Sequence, residues 1–89
     1  MELTSGQQVK LARLRLGMTL AEVSKKSTYS ASYLCMIEQD QRPVPKYLTK
    51  LLKVDEALCW YNELVEAIKD RFKDRAEDAL RYLNTFLGL

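Results

Sequence analysis

The sequence predicts an all-α fold. Three observations carry that expectation: apolar residues recur at three- and four-residue spacing along most of the chain, only three glycines and two prolines interrupt its 89 residues, and polar capping residues precede most of the apolar runs. Strands have almost nowhere to form. A chain of this length builds one small helical core with a modest stability margin, which self-association would raise.

Ser5 with Gln8 reads as a capping box opening a first helix over 5–16, with Val9, Ala12 and Leu16 on one face and Gly17 as its stop. A second capping box at Thr19 and Glu22 opens a helix ending near Lys26, with Val23 inward and Ser24 small enough for close approach of a neighbour. Residues 27–30 form a polar turn, and Ser30 caps a third helix over 31–39. Leu34 and Ile37 fix the inward face of that helix. At about 100° per residue, Ser32 and Gln39 then point outward.

Asp40 to Val44 reads as a loop, and Pro45 suits the first position of a fourth helix, striped by Tyr47, Leu48, Leu51 and Leu52. Asp55 reads as the cap of a last helical region that contains no Gly or Pro up to Phe86. Unbroken, that region would run about 45 Å at ~1.5 Å per residue, longer than a core of this size covers. Its distal half is expected on a second subunit, through Ile68, Phe72, Ala76, Leu80, Leu83 and Leu87. A further capping box at Asp74 and Glu77 would instead divide it into two helices, and the sequence leaves both forms open. The expected organisation is five helices with the last extended or followed by another: residues 1–70 as one unit, and 71–89 as a dimerisation or partner-binding extension.

The charge is uneven. Residues 1–54 hold nine Lys and Arg against four Asp and Glu, whereas residues 55–89 hold five against eight. A basic first part suits a polyanion, and an acidic tail suits a protein contact. Histidine is absent, and Cys35 and Cys59 stand apart without metal-ligand spacing. No metal, cofactor or catalytic site is therefore expected, and the cysteines read as free thiols of a cytoplasmic protein. The N-terminal MELTSGQQVK lacks the apolar run of a signal peptide or membrane span.

The combination of Leu16-Gly17, Thr19, Glu22, Val23 and the phrase YLCMIEQDQRPVP from Tyr33 to Pro45 resembles the phage-repressor and Cro-like helix-turn-helix family, also called the xenobiotic-response-element family. The resemblance covers residues 6–54. It implies a homodimeric transcriptional regulator, nucleoid-associated when bound to double-stranded operator DNA, with the third helix in the major groove. It also implies an internal ion pair between Arg13 and Glu38. Thr19, Ser30, Ser32, Gln39, Gln41 and Arg42 match, or lie beside, the family's usual phosphate- and base-contacting positions. Leu20, Thr28 and Asp40 depart from the family pattern, Asp40 standing where glycine is usual, as an acid that would face phosphates in a standard docking.

The outward row of the third helix, Ala31, Ser32, Tyr33, Cys35 and Met36, lacks Arg, Lys, Asn and Gln. Those are the residues that make bidentate base contacts, so direct readout by this row is expected to be weak. Two functions fit it. In one, Ala31 and Met36 touch thymine methyls, Ser32 and Tyr33 donate to bases or phosphates, and Lys25, Lys26, Arg42 and Lys46 supply salt-dependent affinity. In the other, the fold is kept and the face binds protein, as in an antirepressor, an adaptor or an antitoxin-like partner.

Overall fold

The computed structural model describes residues 3–89. Among them are six α-helices and no strand: α1 (Ser5–Arg15), α2 (Leu20–Lys26), α3 (Ala31–Glu38), α4 (Lys46–Leu51), α5 (Val54–Arg71) and α6 (Ala76–Leu87), with one 3-10 turn at Lys73–Arg75. No helix among the described residues is long and apolar enough to cross a membrane.

Helix α1 is the centre of the packing, lying against both α3 and α5. Its buried residues accordingly lie on more than one side: Gly6, Val9, Leu11 and Ala12. Leu16, expected on the inward face, falls just past the helix end and is exposed. Val23, Leu34, Ile37, Leu48, Leu52, Val54, Ala57 and Tyr61 complete the core around α1. Each fully buried aliphatic side chain there contributes about 1.5–3 kcal/mol.

The cap of α1 lies one residue earlier than the local pattern suggests. Thr4 Oγ1 accepts from the Gln7 amide at 3.2 Å, and Gln7 Oε1 accepts from the Thr4 amide at 3.0 Å. Gly17, at φ 68°, ends the helix as expected. Pro45 is the N-cap of α4 rather than its first residue, and Lys53, in a left-handed conformation at φ 55°, turns α4 directly into α5. Asp55 therefore lies in the first turn of α5, where its charge favours the helix end, and is not the cap.

The C-terminal region is two helices. Helix α5 stops at Phe72, whose backbone leaves the helical region at φ −119° and ψ 50°, and α6 folds back onto α5. The Asp74 and Glu77 box does not form; Arg75 stands at the N-cap position without a side-chain cap. Helix α6 thus covers one side of the distal half of α5 from within the chain. Val65, Leu83, Leu87 and Leu89 pack against the core, and Tyr61 Oη donates to buried Asn84 Oδ1 at 2.5 Å. Lys10 Nζ adds a bond to the Gly88 carbonyl at 2.6 Å, tying the end of α6 to α1.

Candidate nucleic-acid interface

The α2–turn–α3 unit is held by its own short polar side chains. Thr19 and Glu22 cap α2 reciprocally, at 3.1 Å and 3.2 Å. Ser24 Oγ donates to the Tyr29 carbonyl at 2.8 Å, so this small residue ties the turn to α2. The Tyr29 amide donates to Ser27 Oγ at 3.3 Å, and Ser30 Oγ accepts from the Tyr33 amide at 3.1 Å, capping α3. Tyr29 and Tyr33 stack with ring centroids 5.4 Å apart and planes 12° from parallel. Both rings pack on the edge of the core, so Tyr33 contributes to the fold as well as to the surface.

On α3, Leu34 and Ile37 are buried, whereas Ser32 and the C-cap residue Gln39 are exposed. Ala31, Tyr33, Cys35 and Met36 are half-buried at its flanks. Gln39 Nε2 donates to Cys35 Sγ at 3.4 Å, so part of the amide's hydrogen-bonding capacity is turned back onto the helix.

The C-terminal end of α3 is fixed twice. Arg13 donates through Nε to Glu38 Oε2 at 2.7 Å, through Nη2 to Glu38 Oε1 at 3.1 Å, and through Nη1 to the Met18 carbonyl at 2.9 Å. This bidentate pair, with side chains only 12% and 8% exposed, joins α1 and the loop after it to α3. Beyond it, Asp40 adopts φ 62° and the chain closes as a Schellman turn, with the Asp40 amide on the Ile37 carbonyl and the Gln41 amide on the Met36 carbonyl. The Asp40 carboxylate points at the start of α1, accepting from the Gly6 amide at 2.8 Å and Thr4 Oγ1 at 2.6 Å. That location suits an acid, because the positive end of the helix dipole lies there.

The three acids described in the basic part are thus all hydrogen-bonded within the chain, Glu22 to Thr19, Glu38 to Arg13 and Asp40 to the start of α1, although Glu22 and Asp40 stay exposed. Lys25, Lys26, Arg42 and Lys46 are exposed and make no ion pair among the described residues. Tyr47 Oη donates to the Lys26 carbonyl at 3.4 Å, which brings the start of α4, with Lys46, beside the end of α2. Gln41 and Arg42 border an open depression of about 440 Å³ with Ser5 and Asp40. Thr19 stands at the other end of α2, and no contact joins it to these groups.

The expected C-terminal interface residues divide. Ile68, Phe72 and Leu83 line one side of the α5–α6 hairpin together with Ala79, Tyr82 and Phe86. Leu80 lies on another side, with Tyr61 and Val65. Leu87 packs against the core, and Ala76 is half-buried at the start of α6. Sequence reasoning missed Tyr82 and Phe86, although their four-residue spacing on one helix was a visible signal. Comparisons with protein-family models, curated proteins and solved structures returned no significant match.

Proposed function

We propose that this chain is a transcriptional repressor of prokaryotic or phage type, a binding protein rather than an enzyme, which grips duplex operator DNA as a homodimer with α3 as its recognition helix. One observation carries the reading. An α2–turn–α3 unit held by its own hydrogen bonds leaves Ser32 and Gln39 exposed, while every acid described in residues 3–54 is hydrogen-bonded within the chain and Lys25, Lys26, Arg42 and Lys46 are exposed and form no ion pair among the described residues. The resemblance across residues 6–54 supports the same assignment. Phosphate contacts then supply most of the affinity, and DNA shape supplies part of the specificity.

The test is a titration of random duplex DNA and source-genome fragments over a range of salt concentrations. With about four phosphate contacts per chain, the log–log slope is expected near −3 to −4 per chain bound. Arg42→Ala with Lys46→Ala weakens binding on all sequences and reduces the slope by about 2, whereas changes at Ser32 or Met36 alter preference among sequences. No binding at low salt, or a slope near zero, overturns the reading. That outcome would favour a protein-binding adaptor or antirepressor, for which the scarcity of base-reading groups between Ala31 and Met36 is the supporting observation.

A further inference from the structure

Within α3 and its C-cap, Gln39 is the one residue of the Arg, Lys, Asn and Gln types that read base edges through paired hydrogen bonds. It is exposed, yet it is tied down. Its backbone N–H donates to the Cys35 carbonyl at 3.1 Å, and its side-chain Nε2 donates to Cys35 Sγ at 3.4 Å. Gln39 is thus joined to Cys35, one helical turn earlier, by both backbone and side chain. Its Oε1 accepts no hydrogen bond among the described residues. We propose that Cys35 is a positioning residue for base selection: its sulfur anchors the nitrogen of the Gln39 amide on α3 and leaves the oxygen to meet DNA, and the chain therefore favours adenine or cytosine over guanine or thymine at the base this amide faces. The inference rests on the DNA reading above and adds to it what the exposed amide selects.

The selection follows from the chemistry of the base edges. In the major groove adenine carries an N6 amine and cytosine an N4 amine, both donors, whereas guanine shows the acceptors N7 and O6 and thymine the acceptor O4 beside its methyl group. A glutamine that turns freely offers either end of its amide and serves donors and acceptors alike. With Nε2 engaged by sulfur, the amide offers its acceptor first, and guanine and thymine then meet it acceptor to acceptor. Nε2 keeps a second hydrogen, so adenine, with N7 beside N6, satisfies both ends of the amide.

The backbone beneath the amide is fixed on both sides. Glu38 is held by Arg13, and Asp40 by the Gly6 amide and Thr4 Oγ1, while buried Leu34 and Ile37 set the rotation of α3. Only the side-chain torsions of Gln39 are left for the sulfur to settle. A thiol is a weak acceptor, so the expected preference is modest, about five-fold.

The test is a binding selection from duplexes of random sequence, in reducing buffer, with the wild-type chain, Cys35→Ala, Cys35→Ser, Gln39→Ala and the double variant of Cys35→Ala with Gln39→Ala. The wild type is expected to show one position at which adenine and cytosine together outweigh guanine and thymine by about five-fold. Gln39→Ala and Cys35→Ala each flatten that position, and Cys35→Ser, whose hydroxyl still accepts, keeps it. Once Gln39 is alanine, Cys35→Ala changes nothing more there. A readout without DNA separates positioning from packing: in Cys35→Ala the side-chain nitrogen resonance of Gln39 shifts and its amide becomes more mobile, and Cys35→Ser restores both. A Cys35→Ala chain that keeps the preference overturns the proposal, as does a Gln39 amide equally mobile in wild type and Cys35→Ala, or a Gln39-dependent preference for guanine or thymine. Duplex binding with no position that depends on Gln39 overturns this proposal alone, whereas a wild-type chain that binds no duplex at low salt overturns the DNA reading and the proposal with it.

Discussion

Gly6 and Asp40 show how single residues set the distance between α1 and α3. A Cβ on Gly6 would lie 2.5 Å from the Ile37 carbonyl oxygen, 2.7 Å from that of Glu38 and 2.8 Å from Asp40 Oδ1. Two of those atoms are backbone, so the start of α1 must move. Gly6→Ala is expected to cost about 3 kcal/mol, lowering the melting temperature by more than about 10 °C in a domain of this size. Asp40 balances two opposed effects. Its left-handed backbone costs a non-glycine residue about 1 kcal/mol, while its bonds to Gly6 and Thr4 add charge-assisted capping of about 1.5–3 kcal/mol. Asp40→Ala keeps the strain and loses the bonds, and Asp40→Gly loses both. Urea midpoints are therefore expected in the order wild type, then Asp40→Gly, then Asp40→Ala. A glycine variant as stable as the wild type would mean that the carboxylate's bonds only offset the backbone strain of about 1 kcal/mol.

At the scale of elements, α3 is positioned by the Arg13–Glu38 pair at one end and by Ser30 at the other. Removing one member of a pair this buried leaves an uncompensated charge, so Arg13→Met is expected to cost about 3 kcal/mol or more. Adding Glu38→Leu recovers most of the loss, and a double-mutant cycle by chemical denaturation measures both. A recovery of nothing would place the cost in the Met18 carbonyl bond instead. The caps of α2 and α3 were legible in the sequence because each acts over three residues. So was the exposure pattern of α3, since Leu34 and Ile37 alone fix its rotation. What escaped was decided at long range. Thr4 and Ser5 offer equivalent local capping boxes, and Thr4 also bonds Asp40, thirty-six residues away. The break at Phe72 has no Gly, Pro or side-chain cap to announce it; the return of α6 depends on Tyr61, Asn84 and the leucines of α6 meeting the core. The bonding of Asp40 to Thr4 and Gly6 was likewise invisible without α1 beside it.

The whole molecule is elongated, about 45 × 21 × 19 Å, and its packing is graded along that length. Helix α1 touches both α3 and α5, whereas α6 rests on α5 and is tied elsewhere by Lys10 to Gly88. Fewer buried groups hold α6, Asn84 being its one buried residue, so α6 is expected to open before the rest. Native-state hydrogen exchange is then expected to give α6 amides an opening free energy below that of α1 and α3. Amides of α6 as protected as those of α1 and α3 would instead place all three helices in one cooperative unit.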